Sequence, residues 1–249
     1  MAVADAAIAV ENLSVAYRGK IALAGLSGCF AAGSLTAVIG PNGAGKSSLL
    51  KALAGLLPPQ SGRVICPALT AGALAYLPQQ ADIDRGFPVT VGELVALGAW
   101  RAYGALRAAP RAVMARVRAA ADETGLNDLL SREIGALSVG EFQRALFARL
   151  LLQDASVILL DEPFAAVDEQ TTLDLLAVLR CLNAEGRTIV AVLHDLDQAR
   201  DHFPEALLLA RGAIAWGAAA EVLTGANLAR ARAALRLPDR TNGAAKAAA

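Results

Sequence analysis

Residues 35–53 read LTAVIGPNGAGKSSLLKAL: a short uncharged apolar run, a turn dense in glycine, then a helical pattern. GPNGAGKS (40–47) satisfies GxxxxGK[ST] in the strand–turn–helix context that gives this motif its meaning. A chain carrying it must contain a sheet, because the loop works only when a strand delivers it and a helix leaves it. Gly43 and Gly45 permit backbone angles closed to other residues, so successive amide hydrogens can converge on phosphate oxygens. The helix opening near Lys46 adds its positive dipole end. The loop expected to cradle a nucleoside triphosphate therefore runs through Gly40, Pro41, Asn42, Gly43, Ala44, Gly45, Lys46, Ser47 and Ser48. Lys46 is expected on the β and γ phosphates and the Ser47 hydroxyl on Mg²⁺.

The rest of the chain fits an α/β class, a P-loop NTPase core with a mostly parallel sheet. Besides LTAVI, the runs SVILL (156–160), TIVAVL (188–193) and EALLLA (205–210) read as buried strands, and three of the four lead into helical patterns. The stretch from Ile21 to Gly45 has no charged residue and is long enough to span a bilayer, but its glycines and Pro41 break it into strand, turn, strand and loop. Residues 90–153 show no convincing strand and at least three helical patterns. One of these, PRAVMARVRAAADETG (110–125), has proline first and glycine last. The expected organisation is one domain: an α/β core from 1–85 and 154–225, an inserted helical subdomain over 86–153, and a partly disordered tail over 226–249. The arginines Arg111, Arg116 and Arg118 read as a solvated surface rather than a docking face.

Charge limits the function. Twenty-three basic and 23 acidic residues balance to zero, against a protein that binds nucleic acid by neutralising phosphates. Cys29, Cys66 and Cys181 are odd in number and far apart, and read as small buried hydrophobes in a reducing compartment. No basic-then-apolar leader opens the sequence, so a cytosolic protein is expected, reaching any membrane through a partner.

SVILLDEP (156–163) ends an apolar strand in two acids. Asp161 emerges at the carboxyl end of a parallel strand, where open α/β sheets place ligands, and suits Mg²⁺. Glu162 points another way and is the candidate general base for an attacking water. TIVAVLHD puts His194 at the end of a third strand, placed to contact the γ-phosphate.

LSVGE (137–141) looks like a second anion cradle. Ser138 followed three residues later by Glu141 is a capping box for the helix EFQRALFARLLLQ, and a helix start with Ser138 and the Gly140 amide is also an anion site. Here the sequence resembles the ATP-binding subunits of ABC transporters, whose signature is LSGGQ; the resemblance covers roughly residues 8–225. It implies that Tyr17 stacks on adenine, that Gln79 in YLPQQ joins the Mg²⁺ ligands and links the nucleotide to a membrane partner, and that His194 is the switch histidine. EPFAAVD (162–168) places Asp168 at the aspartate of the family's EPTSGLD loop. Val139 stands for a signature glycine, Glu141 for its glutamine, and Phe164, Ala165 and Ala166 for threonine, serine and glycine. The resemblance further implies a head-to-tail pair, in which Ser138, Gly140, Glu141 and Asp168 serve the other copy's ATP.

FPVTVGELVALG (87–98) is similar to the corresponding piece of zinc and manganese importers, and nearly as similar to that of iron-siderophore and haem importers; the stretch 194–217 tilts the reading to zinc. The resemblance implies an integral membrane permease and, indirectly, an extracytoplasmic metal-binding protein. An ABC-type ATPase of DNA repair or translation shares every nucleotide motif, but would carry a long coiled-coil insertion or a second ATPase half. A P-loop kinase or GTPase would lack LSVGE. Glu162→Gln is expected to lower ATP turnover by about 10²–10⁴-fold while leaving ATP binding intact; full turnover in a phosphate-release assay would remove Glu162 from its assigned role.

Overall fold

The computed structural model describes residues 6–17, 20–70, 72–79, 83–104 and 108–236. The chain opens with β1 (Ala6–Tyr17), β2 (Lys20–Ala31), β3 (Leu35–Ile39), α1 (Lys46–Leu53), β4 (Ser61–Ile65), α2 (Pro67–Thr70) and β5 (Leu74–Leu77). A helical stretch follows: α3 (Val91–Ala96), α4 (Trp100–Tyr103), α5 (Arg111–Glu123) and α6 (Val139–Leu152). The chain then alternates through β6 (Val157–Asp161), α7 (Glu169–Ala184), β7 (Thr188–Val192), α8 (Leu196–His202), β8 (Glu205–Leu209), β9 (Ala213–Ala218), α9 (Ala219–Val222) and α10 (Gly225–Arg236).

Two sheets result. The larger has the order β5-β6-β7-β3-β8-β9, parallel throughout except for the antiparallel hairpin β8–β9. The smaller is antiparallel, β2-β1-β4. Successive side chains of a strand point to opposite faces, and both faces of β3, β6, β7 and β8 are buried. Val38, Leu159, Val190 and Leu207 pack in a core with α1 and the antiparallel sheet. Their neighbours Ala37, Ile158, Ile189 and Ala206 pack in a second core with the helical stretch. This double coverage is why these strands read as unbroken apolar runs.

The strands expected at 35–39, 156–160, 188–193 and 205–210 are β3, β6, β7 and β8 within one residue at each end. The four strands β1, β4, β5 and β9 carry weaker signals. β1 is broken by register shifts around Asn12, whose φ is +46°; β4 is largely exposed; β5 has four residues. In the inserted region, Pro110 caps α5 and Gly125 follows it at φ +68°, the proline-first, glycine-last order read from the sequence. The first part of the expected tail over 226–249 is helix α10, which buries Ala231; residues 237–249 lie outside the described residues. Of the cysteines only Cys66 is buried, and Cys181 is exposed, so the expectation of three buried thiols is corrected. Among the described residues no helix is long and apolar enough to cross a membrane.

Helix α6 is the joint between the helical stretch and the sheet. Phe147 is fully buried on its inner face and lies 6.4 Å, centroid to centroid, from Phe164, just past the end of β6. Phe147→Ala should destabilise the fold by about 3–5 kcal/mol, measured as a lower urea midpoint at unchanged m-value; an unchanged midpoint would show that the joint repacks without it.

Candidate functional site

The carboxyl ends of four neighbouring strands converge. β3 delivers the loop at Gly40, β6 delivers Asp161 and Glu162, β7 leads to His194, and β5 leads to Gln79. They border a cleft of about 710 Å³, lined among others by Tyr17, Asn42, Ser47, Gln79, Glu162 and His194.

At the N-terminus of α1, Gly45 has φ +96°, and a Cβ there would strike the Ala22 carbonyl oxygen and the Leu23 side chain. Only glycine satisfies both the angle and the space. The loop is also stapled from below: the Arg211 amide donates to the Ala44 carbonyl (2.9 Å) and the Ala24 amide to the Arg211 carbonyl (2.7 Å).

Lys46 is 6% exposed, and its Nζ donates to the carbonyls of Gly40 (2.7 Å) and Pro41 (3.3 Å). Burial pulls its pKa down, while Glu162 and Asp161 oppose that shift. The Ser47 hydroxyl donates to Asp161 Oδ1 at 3.1 Å. Asp161 is 2% exposed, and burial raises its pKa despite the Ser47 hydrogen bond. A hydroxyl and a carboxylate joined this way are hard oxygen donors of the kind Mg²⁺ selects, next to a loop built for phosphate.

Glu162 sits at φ +54°, a conformation unusual for a residue with a side chain and one that recurs at functional sites. Both of its carboxylate oxygens are held: Oε1 lies 2.5 Å from His194 Nε2, and Oε2 accepts from Gln79 Nε2 at 2.6 Å. The three side chains come from three strands and form one chain of contacts at the floor of the cleft. Tyr17 is 45% exposed at the cleft, with Lys51 Nζ 5.7 Å from its ring centroid.

Ser138, Gly140, Glu141 and Asp168 do not line this cleft. Ser138 caps α6, accepting from the Glu141 amide (3.2 Å), while Glu141 Oε2 accepts from the Ser138 amide (2.7 Å), which lowers the pKa of the Glu141 carboxyl. Val139 occupies the first helical position with its side chain 51% exposed, a place that asks for no glycine. Asp168 caps α7, accepting from the Thr171 amide (2.9 Å). Gly140 packs beside Asp168 and Thr171, so these residues gather into a group of their own. Lys20, Ile21, Ala22 and Arg211 also line the cleft and were not read from the sequence. No motif marks them, since the β8–β9 turn that carries Arg211 meets the loop only through the fold.

Asp161 supplies a direct test of the buried carboxylate. Its native pKa lies above the ordinary one, so its contribution to stability falls as pH rises from the usual carboxylate range through the raised value. Asp161→Asn should therefore raise the nucleotide-free melting temperature at neutral pH while abolishing Mg²⁺-dependent nucleotide binding. A lower melting temperature would contradict the burial penalty.

Comparison with known proteins places this geometry. The family model described as ABC transporter matches residues 23–165. The zinc transport system ATP-binding protein TroB of Treponema pallidum is 39% identical over 222 residues, covering 88% of this chain and 84% of TroB. The manganese transport system ATP-binding protein MntB of Listeria monocytogenes is 35% identical over 219 residues, covering 86% of this chain and 91% of MntB. Among solved structures, an inward-facing ABC transporter described as of metal-chelate type superposes with a TM-score of 0.81 at 29% identity, covering 94% of this chain and 90% of that one. The chain belongs to the ABC transporter family and is an ATP-binding, ATP-hydrolysing subunit of that kind.

Proposed function

We propose that the chain powers uptake of a divalent metal ion, zinc or manganese, working as a head-to-tail pair on the cytoplasmic face of the membrane beneath a separate permease. The observation that carries the pairing is that one polypeptide holds two helix-start groups that do not share a cleft: the glycine-rich loop at 40–48, and the group at Ser138, Gly140 and Asp168. A pair in which each group faces the other copy's loop uses both. In this reading the α/β core is 1–85 with 154–225, and the helical subdomain is 86–153.

The roles follow the chemistry of the side chains. Lys46 and the loop amides hold the phosphates, and Tyr17 stacks on the base. Ser47 and Asp161, with Gln79, hold Mg²⁺, which when bound neutralises phosphate charge. Glu162 accepts the proton of the attacking water, and His194 leaves its Glu162 contact for the γ-phosphate. Ser138, Gly140 and Glu141 at the α6 start, with Asp168, close over the partner's ATP. Hydrolysis separates the pair, and the permease feels the motion.

The permease side of this reading rests on the stretch after Gln79. Phe87 (62%), Trp100 (49%) and Leu97 (45%) are exposed around an apolar hollow of about 860 Å³. A contiguous apolar patch of this kind on a soluble subunit suits a docking partner. The names of the two relatives support zinc or manganese as cargo, and in this proposal the permease works with an external metal-binding protein. The metal-chelate transporter favours a second reading, uptake of a metal in an organic chelate such as a siderophore or haem.

Transport separates them. Proteoliposomes holding this subunit and its cognate permease, with the binding protein outside the face that carries ATP, should accumulate zinc or manganese only with ATP. Uptake of a ferric chelate or haem, with neither free ion moved, would overturn the proposal.

A further inference from the structure

The residues proposed to face the partner's ATP come from two elements, α6 and α7, and something must hold them in one geometry. Arg144 lies on α6 one helical turn beyond Gly140. Its Nη2 donates to Asp174 Oδ2 at 2.7 Å and to Thr171 Oγ1 at 3.2 Å, both on α7. Its Nη1 donates to the Thr124 carbonyl at the end of α5, at 3.2 Å. The guanidinium is largely buried, and its planar fork can serve all three acceptors at once. Thr171 is the residue whose amide donates to the capping carboxylate of Asp168. A Cβ on Gly140 would lie 3.4 Å from Asp168 Oδ2 and 3.5 Å from Thr171 Oγ1, so the signature turn rests directly on the α7 start.

We propose that Arg144 is a positioning residue that locks the Ser138–Gly140 turn to Asp168, so that both meet the partner's nucleotide as one rigid unit. The inference rests on the head-to-tail pairing proposed above. Arg144 does not line its own cleft. Its loss should thus leave ATP binding by the chain's own phosphate loop untouched and weaken only the closing of the pair.

The experiment uses the full chain carrying Glu162→Gln, which traps ATP unhydrolysed. With MgATP the parent should dimerise in analytical ultracentrifugation. Adding Arg144→Ala should weaken that dimerisation roughly tenfold or more, the effect of losing a charge-assisted hydrogen bond, at unchanged monomer affinity for ATP. Arg144→Lys keeps the charge but loses the fork, and should restore dimerisation in part. Asp174→Asn removes the ion pair while leaving Arg144 in place and should weaken dimerisation in the same direction, which keeps the test open should Arg144→Ala fold poorly. If the parent itself stays monomeric, the pairing fails. If the parent dimerises and the Arg144 and Asp174 variants dimerise equally well, the positioning role fails.

Discussion

A buried amine held by the carbonyls of its own loop is the constraint around which this molecule is arranged. Lys46 is 6% exposed, and burial lowers its pKa even with two carboxylates nearby. Charge kept out of water needs oxygen around it, and the loop supplies that oxygen only because Gly45 turns left-handed beneath β2. In the proposed role of Lys46, phosphate oxygens would take the place of these two carbonyls.

Position in the sheet does the rest. The strand order places β6 and β7 between β5 and β3, so Gln79, Glu162, His194 and the phosphate loop emerge side by side from one edge. Parallel strands put all their carboxyl ends on that edge, and α/β proteins bind ligands there. Glu162 shows the strain that goes with the site in its left-handed backbone, while Gln79 and His194 hold its two oxygens. Ala166 shows a second instance. It stands where the family's loop has glycine, yet keeps φ +59°, a conformation that disfavours a residue with a Cβ by roughly 1–2 kcal/mol. The loop between Glu162 and Asp168 holds that turn against local preference.

The capping box at Ser138 shows how one local structure can serve two ends. Its hydrogen bonds are those of an ordinary helix start. Its contacts through Gly140 to the α7 cap make it half of a surface unit. Local physics accounts for the first without the second, and both are present in the same five residues.

The sequence alone determined the pieces whose signals are local. The phosphate loop, the acids ending SVILL, the caps at Pro110 and Ser138, and the strands with two buried faces all announce themselves through spacing and periodicity, because their physics acts between near neighbours. The resemblance to a known signature extended that reading to Tyr17 and Gln79. Tertiary structure alone decided the weak strands β1, β4, β5 and β9, whose pairing partners supply what their sequences lack. It also decided that Arg211 lines the cleft, that Gln79 and His194 both hold Glu162, and that Arg144 ties α6 to α7. Each of these joins residues distant in the chain, and such contacts leave no mark at either end until the sheet order brings them together.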